Sequence, residues 1–355
     1  MKKLSRYRCF TLIFVLLIAD TVNINWNVAG KATWIAYLIG AIIALPFYRV
    51  CAYACKGGFF KSSEVLGKPV FTVMLSAWIV LSAFITGLVF GRFGLFIITY
   101  NDFVMSPHGI IALMAMAALA LSLLKGRGLE RYVEISFVWI LLLFAIFFFA
   151  GTSDWHIQRL LPVYEGTTSE LAKGFLYVFL KPFSGGFVGI ALLSDQTDEK
   201  NLSKAAGLAA IAAGGLMGIE RIKDISVIGY ELASRYTFPF YALAGLQRVG
   251  SYGLHMEDFL VCAFITAKMI KAAAFIRFGG RCAVTAAGGR LKSLGIQVII
   301  TLAAFWAATV MFSSNSSDEL WRQRSLMPLG IMAVIFPIAL ALIRKIKEKW
   351  FDRAV

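Results

Sequence analysis

Charge is what this chain has least of: Asp, Glu, Lys and Arg make up 15% of its residues, where a soluble domain carries about 25%. Acidic groups are scarcer than basic ones, 20 against 35, and the only histidines are His108, His156 and His255. All three fall in or beside expected loops, so neither a histidine metal centre nor a hydrolytic triad is expected. No phosphate loop, dinucleotide fingerprint or nucleophile elbow occurs, which argues against an enzyme and against a bound cofactor. The cysteines (Cys9, Cys51, Cys55, Cys262 and Cys282) are odd in number, lie in or beside apolar runs and lack zinc-ligand spacing. They read as reduced apolar fillers.

What fills the chain instead is hydrocarbon. Apolar residues make up 59% and the mean hydropathy is +0.76, more than one soluble core of this length hides. They come in stretches of about twenty, the length that crosses roughly 30 Å of hydrocarbon at about 1.5 Å per residue. The lipid bilayer is therefore the solvent. Spans are expected near Cys9–Val28, Thr33–Ala54, Val70–Thr99, Ile110–Leu124, Val133–Ala150, Leu171–Leu193, Leu202–Ile219, Phe259–Phe278, Leu294–Phe312 and Leu326–Ile343. The N-terminal run has the look of a signal peptide, but Asp20 and NINWN follow it where a small-residue cleavage site would stand, so it counts as the first span.

The formal net charge of +15 does not point to nucleic acid, because Lys and Arg sit in short clusters between spans and form no basic face with interleaved aromatics. With both termini cytoplasmic, the clusters around Lys2–Arg8, Lys56–Lys68, Lys125–Arg131, Arg277–Lys292 and Arg344–Arg353 all fall on the inner side, as the positive-inside rule requires. An even number of spans follows, in one transmembrane domain. Its first half covers residues 1–151 and its second 171–344, with outer loops at 151–170 and 221–258 and a cytoplasmic tail at 344–355. The stretch 221–258, with Glu231, Arg235 and Arg248, is expected to be re-entrant or interfacial.

Ionisable groups at membrane depth are costly and mark candidate sites. Asp20 lies eleven residues past Cys9, about 16 Å into the layer, with Thr21, Asn23 and Asn25 beside it. Such a polar run is expected to interrupt the helix and open onto a cavity; the alternative is a polar clamp against another span. The sixth span carries a second interruption at Lys181, Pro182, Phe183, Ser184, Gly185 and Gly186, where Pro removes a donor and paired glycines favour unwinding; the alternative is a packed kink using the small pair Gly185 and Gly189. Breaks in spans one and six occupy corresponding places in two five-span halves, and an odd number of spans per half makes the halves inverted. The expected fold class is an all-α polytopic membrane protein of about ten transmembrane helices, a LeuT-like five-plus-five inverted repeat with helices one and six broken. Lys268 and Lys271 share a face half-way through the eighth span. With Arg92 and Lys181 as further interior, gating cations they outnumber Asp20, so a carboxylate-bearing ligand would restore balance. In the alternative, Arg92 snorkels outward while one lysine pairs with Asp20.

Three stretches carry a family likeness. MSPHGIIALMAMAALALSLLKGRGLERYVEIS (Met105–Ser136), RLLPVYEGTTSELAKGF (Arg159–Phe175) and GLQRVGSYGLHMEDFLVCAFITAKMIKAAAF (Gly245–Phe275) resemble the spore germination permease family, the B subunits of Ger-type nutrient-germinant receptors in the amino acid-polyamine-organocation superfamily. In the third stretch Lys271 stands in the place of the family's span-eight lysine. The resemblance implies a receptor subunit in the inner membrane of a bacterial endospore, beside a larger A subunit and a lipoprotein C subunit, that senses an amino acid, sugar or nucleoside germinant. An autonomous amino acid and proton symporter is the rival with the same fold. IADTVNINWNVAG stands here where the family has a glycine-rich, proline-ended break, and PFSGGFVGI where an acidic residue often follows the aromatic. The likeness therefore does not extend to ligand identity.

Overall fold

In hydrocarbon a backbone group has no water to bond, so apolar runs of this length become helices whose bonds close within the segment. The computed structural model describes residues 4–19, 29–100, 106–149, 155–164, 167–246, 256–310 and 314–354, and contains no strand among them. The first half consists of α1 (Arg6–Ile18), α2 (Thr33–Ala54), α3 (Lys68–Tyr100), α4 (Pro107–Ser122) and α5 (Gly128–Phe149). Ser5 caps α1 by accepting from the Arg8 N–H at 3.4 Å. Ser106 caps α4, with Pro107 next to it where the missing N–H costs nothing.

The sixth span is α6 (Thr168–Val178), a wide π turn over Phe179–Phe183, and α7 (Ser184–Leu193). Thr167 and Glu170 form a capping box at its start, the Thr167 N–H donating to the Glu170 carboxylate at 2.9 Å. Then follow α8 (Glu199–Ile228), the short α9 (Tyr230–Arg235) and α10 (Pro239–Leu246), α11 (Met256–Ala286), α12 (Ser293–Val310) and α13 (Asn315–Arg324). The tenth span is α14 (Leu326–Gly330), a second π turn over Ile331–Ile335, and α15 (Phe336–Ala354).

Ten spans follow the expected order. Six of the described spans, the tenth taken through its π turn, are long and apolar enough to cross a membrane. The others are divided by a break, short like α4, or charged like α11. Their packing is two-fold in pattern: α3 lies against α11, α12 meets α3 as α4 meets α11, and α6 meets α2 as α1 meets α8. Each contact has its mate in the other half, which is what an inverted repeat requires. Both described chain ends lie at one end of the bundle, here called basal. Leu4 N–H bonds the Gln196 carbonyl there at 2.9 Å, and Glu348 pairs with Lys56 at 3.1 Å. The cysteines are free, and all but Cys262 are buried.

Two helices outrun their expected ends. Arg221 begins an expected outer loop, yet α8 continues to Ile228, because its basic residues find counter-charges and a carbonyl within the protein. Arg221 pairs with Asp224 at 3.2 Å and stands 3.7 Å from Glu220, while Lys223 bonds the Phe147 carbonyl and lies 3.9 Å above that ring. The stretch 221–258 is thus the end of α8, then α9 and α10, with 247–255 outside the described residues. Likewise α11 runs past Phe278 to Ala286, as Arg277 bonds the Gly126 carbonyl at 3.0 Å and Arg281 pairs with Asp195.

The tightest inter-half seam joins α2 to α8 through small residues, the means by which helices approach closely without hydrophobic drive. A Cβ on Gly214 would come within 2.5 Å of the Ala41 Cβ and 3.0 Å of the Tyr37 carbonyl oxygen. At the neighbouring Gly215 nothing lies within 4 Å. Gly214→Ala is expected to cost about 1–3 kcal/mol through overpacking, and Gly215→Ala to be neutral or slightly stabilising. Thermal unfolding of the two variants in detergent checks the contrast.

Candidate functional site

Proline has no N–H and its ring crowds the preceding turn, so the helix at Pro182 cannot wind regularly. The π turn over Phe179–Phe183 is the result. Its carbonyl at Phe183 finds a partner outside the segment: the Tyr48 hydroxyl of α2 donates to it at 2.6 Å in a buried setting. Only glycine at the next turn admits this donor, since a Cβ on Gly186 would lie 2.1 Å from the Tyr48 oxygen. The Phe183 ring turns away and wedges between Gly40 of α2 and Gly214 of α8, fully buried. Of the expected ligand contacts, the Phe183 ring is packed between helices and its carbonyl is bonded by Tyr48.

The first residues of α7 lie against the end of α1. A Cβ on Gly185 would meet the Leu16 carbonyl oxygen at 3.5 Å and the Lys271 ammonium at 3.9 Å. Gly189, one turn on, packs against Ile13 and Leu16. Three expected parts thus converge: the end of the first helix, the glycine pair after the sixth-span break, and the eighth-span lysine. Lys271 is buried at 3% exposure, as is Lys268. Asp20, Thr21, Asn23 and Asn25 lie outside the described residues; α1 ends at Ile18, two positions before Asp20. Lys181 falls in the π turn and Ser184 opens α7, with both side chains outside the described set.

Arg92 sits elsewhere. It is buried, its guanidinium lies 4.3 Å over the Phe238 ring, and it donates to the Thr237 carbonyl at 3.3 Å. It neither snorkels out nor joins Lys271, but holds the turn before α10 against α3.

On the basal side of the convergence an aromatic cluster fills the bundle. Phe187 of α7 stacks on Trp78 at 5.4 Å and meets Phe59 at 5.7 Å, and Phe278 closes the group at 5.2 Å from Trp78. Below it, Arg281 pairs with Asp195, stacks 4.0 Å from Phe60, and bonds the Leu192 carbonyl at 3.2 Å. Tyr48, Trp78 and Phe187 were not singled out from sequence, where each is one more aromatic in an apolar run.

With this geometry established, comparison with known proteins supplies a family. The chain is 22% identical over 373 aligned positions to spore germination protein KB of Bacillus subtilis strain 168, covering 98% of this chain and 96% of that one. Its fold matches Mhp1, a nucleobase-cation-symport-1 family transporter solved in a closed conformation with bromovinylhydantoin bound. That likeness has a TM-score of 0.62 at 12% identity, over 94% of this chain and 78% of the other. Residues 3–318 match the family model for spore germination proteins, and this multi-pass membrane protein, with its sixth span split at Pro182 and a buried lysine beside the end of its first helix, belongs to that family.

Proposed function

We propose that the protein is the small-molecule sensing subunit of a spore germination receptor, binding a nutrient germinant of amino acid type where the first and sixth spans are interrupted. The observation that carries this reading is the meeting of the Leu16 carbonyl, Gly185 and the Lys271 ammonium within one van der Waals shell. In this reading Lys271 and the N-terminal dipole of α7 attract a carboxylate. Thr21, Asn23 and Ser184 supply neutral hydrogen bonds, and Asp20 receives an ammonium. Lys268 lines the same wall one turn away.

Ligand binding then biases two arrangements of the bundle, and a partner reads the difference. The family supports an A subunit and a lipoprotein C subunit as those partners and the inner spore membrane as the location, with the basal end cytoplasmic. A second reading, an autonomous solute and cation symporter, draws on the likeness to Mhp1. Concentrative uptake by the isolated protein in proteoliposomes favours the symporter; ligand-induced stabilisation without uptake favours the sensor.

Thermal stabilisation of the purified protein against a panel of amino acids, sugars and nucleosides tests the reading directly. Lys271→Ala is expected to weaken the stabilising ligand by about tenfold or more, the worth of a charge-assisted hydrogen bond, while insertion and monodispersity stay normal. An unshifted dose-response removes Lys271 from the site. Tyr48→Phe leaves the Phe183 carbonyl without its donor and is expected to lower stability by about 1–3 kcal/mol, read from the unfolding midpoint without ligand.

A further inference from the structure

Buried polar groups are ordinarily bonded, so several that share one cavity without partners mark a place for something else. Such a group lies at the basal end, apart from Lys271. A cavity of about 290 Å³ is walled by Leu12 of α1, Glu130 of α5, Asp195 and Gln196 after α7, and Arg277 and Arg281 of α11. Glu130 Oε2, Arg277 Nη1 and Gln196 Oε1 are buried there with no hydrogen bond. Glu130 is only 5% exposed, and its Oε2 stands 4.0 Å from Arg277 Nη1, beyond hydrogen-bond reach. Arg281 holds Asp195 and the Leu192 carbonyl, and the second Arg277 nitrogen holds the Gly126 carbonyl.

We propose that this cavity is a second binding site, for a small zwitterion such as an α-amino acid. Two guanidiniums and two carboxylates balance in its wall, so a net-neutral occupant leaves the balance intact. A lone anion would face Glu130 and a lone cation would face Arg277 and Arg281. A zwitterion satisfies all three open atoms at once: its ammonium donates to Glu130 Oε2 and Gln196 Oε1, and its carboxylate accepts from Arg277 Nη1. A neighbouring hollow of about 750 Å³ shares Asp195 and Gln196 in its lining and offers the way in. The start of α1 is tied to the same loop, by Leu4 N–H on the Gln196 carbonyl and Cys9 beside Thr197 at 3.3 Å, so occupancy bears on the position of α1.

The test follows thermal unfolding of the full-length protein in detergent against glycine, L-alanine and L-valine, with propionate and ethylamine as single-charge analogues. The amino acids are expected to raise the midpoint and the analogues to leave it unmoved. In Glu130→Gln the half-saturating concentration should rise at least tenfold, and Gln196→Ala, which removes no charge, should show a smaller rise and stands in if Glu130→Gln does not fold. The same losses in a Lys271→Ala background assign them to the basal cavity. No shift with any of the three amino acids overturns the proposal, as does an equal shift with the analogues. If Lys271→Ala abolishes the shifts while Glu130→Gln and Gln196→Ala keep them, the amino acids belong to the mid-membrane site alone; this site falls and the sensing role stands.

Discussion

A carbonyl in hydrocarbon must find a donor within the protein or forfeit several kcal/mol, on the order of the desolvation cost of a peptide group. At Pro182 that demand falls on one residue of another helix. Tyr48 reaches the Phe183 carbonyl only because Gly186 leaves room, and it is held in position only because α2 is packed against α8 through glycines. The break in the sixth span is thus a property of three helices. The Tyr48 bond ties the turn just past the proline to α2, and the stretches on either side resume regular helix.

The two-fold pattern of the fold puts a second constraint beside this one. The long α3 and α11 cross at the centre, each supporting the equivalent helix of the other half. Cations lie at very different places on that frame. Lys268 and Lys271 of α11 lie deep, Arg277 and Arg281 lie near the basal end, and Arg92 of α3 grips the segment before α10. One pair of helices therefore carries positive charge to the mid-membrane junction, to the basal cavity and to the far end.

How much of this was legible in the sequence depended on whether a signal was local. Pro182 with Gly185 and Gly186 announced its own break, and Lys271 was conspicuous as a charge inside an apolar run. The ten-span order followed from hydropathy alone. Tyr48 was illegible because its role lies in a distance to residue 183, far along the chain, and nothing near it in sequence reports that distance. The charged end of α8 was misread for a related reason. Hydropathy treats Arg221 and Lys223 as solvent-seeking, whereas here an aspartate one turn away and a carbonyl at the end of α5 take the place of water. Glu130 was not singled out within the stretch Met105–Ser136, because the cavity beside it is made by segments from four parts of the chain.

The short helix α7 carries at its start the glycines that touch α1 and Lys271, and at its middle Phe187, which is locked among Trp78 and Phe59. Spanning ten residues, it is a rod of about 15 Å pivoted on a wide turn. Any swing of its upper end that accompanies an arriving molecule displaces the ring lower down, and rings packed at such separations tolerate little play before they part. In the proposed sensing reading, occupancy above would be coupled to the aromatic packing below through this one stiff element.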